Sequence, residues 1–219
     1  MIINNNKEIY IFKHLLYACY TKDSCYHTVK DKWTDECKEM GQDTITSILI
    51  KDNFGGLIKR IYVEDCDYYH FYNVVDKKIL DFTKTQFPKE VTLNYENGQT
   101  KSRAKLLDIV DLKNRYETIS DMIKHKSYEL DCLINEMNNE KINFSLYLNE
   151  DCKFFIVAHD YIEVSQIESN PNLTESEKRY LINNAVKISY ILLDDNPKND
   201  YYINRLKEIL NPYKIIMLN

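Results

Sequence analysis

The sequence predicts an α+β fold, and three observations carry that prediction. Apolar residues recur at helical spacing in residues 7–20, 43–54 and 112–137. Between the second and third of these lie short runs rich in β-branched and aromatic residues, separated by turn signals, which read as strands. All four glycines (Gly41, Gly55, Gly56, Gly98) precede residue 100, so the C-terminal part must turn on Asn, Asp and Pro and is built in a different style. The expected organisation is an N-terminal domain over residues 1–111, with helices on a small antiparallel sheet. A long connecting helix over 112–137 and a small C-terminal α/β region over 138–219 follow.

In the first helix Ile11, Leu15 and Ala18–Cys19 share a face. A polar loop leads to Trp33, a residue type most often found in a core. In the second helix Ile45, Ile48, Leu49 and Phe54 form the apolar side, and Gly55-Gly56 predicts a left-handed stop. Strands are expected at Leu57–Val63, Tyr68–Val75 and Lys78–Phe82, with Asp76-Lys77 as a two-residue turn. In the long helix Leu112, Tyr116, Ile119, Ile123, Leu130, Leu133 and Met137 follow a 4-3 spacing, with Lys126 the one miss. Unbroken, this is a rod of roughly 40 Å. Its stripe either packs on its own chain or forms the seam of a homodimer. Beyond it, Ile142–Leu148 and Lys153–Ala158 flank Asn149-Glu150-Asp151-Cys152 as a hairpin. Thr174 and Glu177 have capping-box spacing at the start of a helix. Residues 201–210 read as a last helix and Ile215–Leu218 as a terminal apolar run, while Ile188–Leu193 suits helix or strand equally.

Composition narrows the function classes. At 219 residues and 44% hydrophobic content the chain can bury a substantial core. A net charge of −5 with interspersed signs and no basic stripe argues against nucleic-acid binding. No run of 18 apolar residues is present, so no membrane helix is expected, and the N-terminal apolar residues are broken by Lys7, Glu8, Lys13 and His14. A cytoplasmic location is the expectation. None of the six cysteines sits in a C-x-x-C pair, so they read as reduced thiols and not as a zinc or disulfide framework. No cofactor is expected.

The residues that suggest chemistry come in ordered fragments. Lys32-Trp33 is followed by Gly41-Gln42-Asp43, Thr46 and Gly55-Gly56. Next come His70-Phe71-Tyr72-Asn73 and Asp81-Phe82-Thr83-x-x-Gln86-Phe87, then Arg103-x-x-x-Leu107 and Asn114-Arg115-Tyr116. In this order they resemble the YunG-like bacterial proteins over roughly the first 125 residues. That family shows W, then G-Q-C opening a helix that ends in F-G-G, then H-Y-x-N, then D-L-T-x-x-Q-F, then an R-Y pair. The resemblance implies a papain-like or transglutaminase-like arrangement of Cys, His and Asp. In such a site a helix N-terminus favours a thiolate, a strand histidine moves the proton, and a carboxylate orients the ring. Carried over, His70 is the base, Asp81 its orienter, and Gln42 or Asn73 an oxyanion donor.

Asp43 stands where the family has its cysteine. A carboxylate suits the same helix dipole, but its attack on an amide would give an anhydride, so the scaffold is expected to be kept and thiol chemistry lost. Each residue also has a plainer reading. Asp43 makes a good N-cap. His70, among Tyr68, Tyr69 and Tyr72, suits a satisfied core position, Asp81 could bond the backbone near Thr83, and Asn73 could be purely structural. Two further readings use Cys66 as a displaced nucleophile, or Asp43, His70 and Asp81 as metal ligands. Three functions follow: a catalytically impaired hydrolase relative that binds a peptide or modified side chain, a protein-interaction module using the long helix and C-terminal region, or an active hydrolase working through Asp43, His70 and Asp81, with or without a metal.

Overall fold

The computed structural model describes residues 5–140, 144–148, 154–158, 164–171, 173–176, 178–179, 186–190, 199–210 and 214–218. The chain forms two compact units, residues 19–123 and residues 1–18 with 124–219. Helices and small sheets make up both, which is the α+β class. Among the described residues no helix is long and apolar enough to cross a membrane.

The unit of residues 19–123 is centred on α2 (Asp43–Phe54) and an antiparallel sheet in the order β3-β2-β1-β4. Its strands are β1 (Leu57–Val63), β2 (Tyr68–Val75), β3 (Lys78–Leu80) and β4 (Gln99–Lys101). From Ile45 to Ile50 every side chain of α2 is buried, so the helix is embedded and not a surface amphipath. It ends at Gly55, whose φ of 75° and ψ of −145° lie in a region open only to glycine. This replaces the expected left-handed stop, while the Gly55 N–H still closes the helix on the Lys51 carbonyl at 2.9 Å. Asp76 and Lys77 join β2 to β3 with φ of 48° and 66°, the type I′ signature of a two-residue hairpin.

Two details of the sheet differ from expectation. β3 stops at Leu80, not Phe82, because the Asp81 side chain leaves the ladder for His70. β4 pairs with the outer edge of β1 through Arg60↔Gln99, Lys59↔Thr100 and Ile58↔Lys101. Its three residues carry no apolar pattern to announce it. One face of the sheet packs Ile61, Val63 and Tyr72 with Phe87, Val91, Leu93 and Tyr95 from the following loop. A short helix α3 (Arg103–Leu107) then leads to α4 (Val110–Asn139). Trp33 is only half-buried and donates its indole N–H to the Lys38 carbonyl, so it braces a loop and does not fill the core.

The other unit holds α1 (Asn5–Cys19), the second half of α4, α5 (Val164–Ser169) and α6 (Asn199–Leu210). Leu15, Leu130, Leu133 and Met137 pack there with Tyr202, Ile203, Leu206, Ile209 and Leu210. Three of the seven stripe residues are therefore spent on this core, and Leu112, Ile119 and Ile123 are buried as well. Lys126, the miss in that stripe, donates from its ammonium to the carbonyls of Glu208 and Ile209 in the last turn of α6. A second four-stranded sheet runs β7-β5-β6-β8, made of β5 (Phe144–Leu148), β6 (Phe154–Ala158), β7 (Val186–Tyr190) and β8 (Lys214–Leu218). Strands β5 and β6 pair antiparallel as expected, and β6 and β8 pair parallel. Of the ambiguous run Ile188–Leu193, residues 188–190 belong to strand β7, and residues 191–193 lie outside the described residues. The loop at Asn149–Cys152 and the capping-box partner Glu177 lie outside the described residues.

Candidate functional site

The site forms where β3 gives out. Strand β3 covers only Asn73–Val75 of β2, which leaves the first half of β2 as an open edge. The N-terminus of α2 lies at that edge. Asp43 Oδ2 accepts the Phe71 N–H at 2.9 Å, the bond that a longer β3 would have made. The plain N-cap reading of Asp43 is thereby corrected: Gln42 holds the cap position, without a side-chain cap bond, and the Asp43 carboxylate reaches across to the sheet.

The residue before Phe71 in the strand, His70, is fully buried. Its Nε2 lies 2.7 Å from Asp81 Oδ2, and its Nδ1 lies 3.6 Å from Asp43 Oδ2. Asp81 is itself held. The Tyr95 hydroxyl donates to Oδ2 at 2.8 Å, and the Thr83 N–H donates to Oδ1 at 3.1 Å. The expected alternative, a backbone bond near Thr83, is thus made in addition to the pairing with His70. Phe87 packs edge-on to the imidazole with centroids 4.9 Å apart. The ring has a fixed plane, an orienting carboxylate on one nitrogen, and residue 43 on the other.

Electrostatics follow from this geometry. Burial opposes a charged His70, but the adjacent Asp81 and the bond toward Asp43 outweigh it and push its pKa up to about 9. Burial would raise Asp81, but the His70 charge and the bonds from His70, Tyr95 and Thr83 hold its carboxyl below the ordinary value. The Tyr95 hydroxyl, buried beside that carboxylate, is pushed upward.

Asp43, His70 and Asp81 are brought together, while the two expected oxyanion donors are placed elsewhere. The Gln42 amide donates to the Thr21 carbonyl at 3.0 Å, and the Asn73 amide donates to the Ser47 carbonyl at 2.9 Å. Both side chains are buried and hold backbone to backbone. The metal reading is corrected by direction: the two carboxylates face opposite ring nitrogens, so the three groups do not converge on one ion. Among the described residues no group of three or more His, Cys, Asp or Glu side chains has metal-binding geometry. Cys66 sits in a turn after β1 and packs against the apolar cluster of the sheet, with no bond to His70.

Sequence reasoning gave no role to Gln86, Tyr95 or Glu39. Gln86 accepts the Gly41 N–H at 3.2 Å and sets its amide nitrogen 3.3 Å from His70 Nδ1. Gly41 has φ of 65°, and a Cβ there would meet Val29 at 2.6 Å, so the turn ahead of Asp43 requires glycine. Glu39, buried, accepts the Thr85 hydroxyl. Spacing within D-F-T-x-x-Q-F was the available signal for Gln86; nothing local marks Tyr95. The R-Y fragments prove structural. The Arg103 guanidinium and the Tyr116 hydroxyl both bond Asp52 at the end of α2, at 2.7 and 2.8 Å, and Arg115 donates to the Ser24 carbonyl at 3.1 Å.

An α+β unit with this helix-on-sheet site matches a family model described as YunG protein over residues 8–128, more than half of the chain, and the protein belongs to that family. One relative is the "Uncharacterized protein YunG" of Bacillus subtilis (strain 168). It is 31% identical over 96 residues, a match spanning 44% of this chain and 76% of that protein. No solved structure matches.

Proposed function

We propose that this protein is a catalytically impaired relative of papain-like thiol hydrolases, with an aspartate in the nucleophile position of a site that otherwise keeps its base and orienter. The observation that carries this reading is the ring of His70, which faces residue 43 through Nδ1 and Asp81 through Nε2. That polarity suits proton transfer from a nucleophile at 43, with the carboxylate at 81 setting the tautomer. The embedded helix α2, with residue 43 in its first turn and an antiparallel sheet against it, supports the same reading. A carboxylate at 43 is a weak acyl acceptor, so the retained role is binding of a peptide or modified side chain beside α2.

The test is acylation by p-nitrophenyl acetate, followed by peptide mapping. In Asp43→Cys the thiol proton passes to His70, an S–C bond forms, and p-nitrophenolate leaves. Acetyl should be found on residue 43 of this variant, and none on residue 43 of the unaltered protein. Turnover by the unaltered protein that Asp43→Asn abolishes would overturn the proposal in favour of carboxylate chemistry.

A further inference from the structure

His70 Nδ1 has two neighbours of opposite character. On one side is Asp43 Oδ2, an acceptor, at 3.6 Å, and on the other is the amide nitrogen of Gln86, a donor, at 3.3 Å. The Gln86 amide cannot simply turn round. Its oxygen is occupied by the Gly41 N–H, and the reversed amide would set two donors against each other. The side chain is 7% exposed, so solvent does not relieve the conflict. With the ring neutral and its proton on Nε2, every donor in the chain finds an acceptor: Gly41 to Gln86, Gln86 to His70, His70 to Asp81, and Tyr95 and Thr83 to Asp81. With the ring protonated, Nδ1–H faces the Gln86 donor and must turn to Asp43 instead.

We propose that Gln86 is a positioning residue for His70: held by the Gly41 backbone, it fixes the neutral ring's proton on Nε2, and it exchanges with Asp43 as the partner of Nδ1 when the ring is protonated. The charged groups around the ring are Asp81 after β3 and Asp43 on α2. Tyr95 acts on it through Asp81. The carboxylates favour the imidazolium and Gln86 opposes it, so Gln86 sets how much base form the site holds. In calling His70 a base this inference rests on the proposed function, but its test does not.

The test is a long-range ¹H–¹⁵N titration of the whole 219-residue chain, with His70 assigned by loss of its signals in His70→Gln. In the unaltered protein above pH 10, the nitrogen shifts should report the Nε2–H tautomer. Gln86→Glu, which gives Nδ1–H an acceptor while still accepting from Gly41, should raise the His70 midpoint by at least one unit, a tenfold change in proton affinity. Asp43→Asn should lower it. The Nδ1–H tautomer in the unaltered protein overturns the proposal, whether or not any variant folds. So does an unmoved midpoint in a folded Gln86→Glu. Where the tautomer is as expected but Asp43→Cys gives no acylation, the hydrolase reading fails and the role of Gln86 stands.

Discussion

At the scale of single residues, the account rests on a buried ion pair whose pH behaviour can be measured. His70 has a folded pKa of about 9, above the ordinary 6.5. Its contribution is therefore fully present below about pH 6.5 and is lost as pH rises through 9, an effect on the order of 3 kcal/mol. Asp81 is depressed, so its contribution is present above the ordinary carboxylate range and is lost as pH falls below it. Urea unfolding across pH should show stability falling from pH 6.5 to 9, and His70→Gln should remove that slope; a slope unchanged in the variant would place its origin elsewhere. Asp81→Asn removes the nearer of the two carboxylates facing the buried imidazole, leaves Asp43 at 3.6 Å, and should cost about 3 kcal/mol at pH 6. The three central residues were legible because the order of their motifs fixed their neighbours. The donor readings of Gln42 and Asn73 do not hold, because the sequence does not show which backbone carbonyls lie beside a buried amide; the structural alternative for Asn73 is the one its bond to Ser47 fits.

At the scale of elements, the helices and hairpins follow from local chemistry, and the misreadings come from contacts distant in sequence. Asp76-Lys77 was readable as a turn from its length. Lys77 holds φ of 66° without being glycine, so Lys77→Gly should stabilise the hairpin by ~1 kcal/mol in thermal unfolding. The length of β3 was not readable, because the demand of His70 on Asp81 ends it. The 4-3 stripe in α4 suits the chain's own core first, with a dimer seam as the alternative. Leu130, Leu133 and Met137 pack against α6, so Leu130→Glu should cost at least the ~2–5 kcal/mol of a large-to-small core change. Light scattering should show no clean conversion from dimer to folded monomer; a well-folded monomer produced from a dimer would restore the seam. Lys126→Met frees the final carbonyls of α6 and should cost about 1 kcal/mol, read by denaturant midpoint.

For the molecule as a whole, the family match ends at residue 128, and the second sheet lies beyond it. That sheet was half legible. The β5–β6 hairpin follows from two apolar runs with a polar link, but the parallel pairing of β8 with β6 joins strands about 60 residues apart, which no local pattern encodes. The α+β class and the site were readable together because the site occupies one contiguous stretch, from Gly41 to Tyr95. The central claim is that residue 43 occupies the nucleophile position of a thiol-hydrolase constellation. The most direct measurement is the pH profile of iodoacetamide alkylation at residue 43 in Asp43→Cys, alone and with His70→Ala, followed by peptide mapping. The account predicts a midpoint at least one unit below the free-cysteine value of about 8.5, returning toward it when His70 is removed. A residue-43 thiol that titrates like free cysteine in both proteins would contradict it.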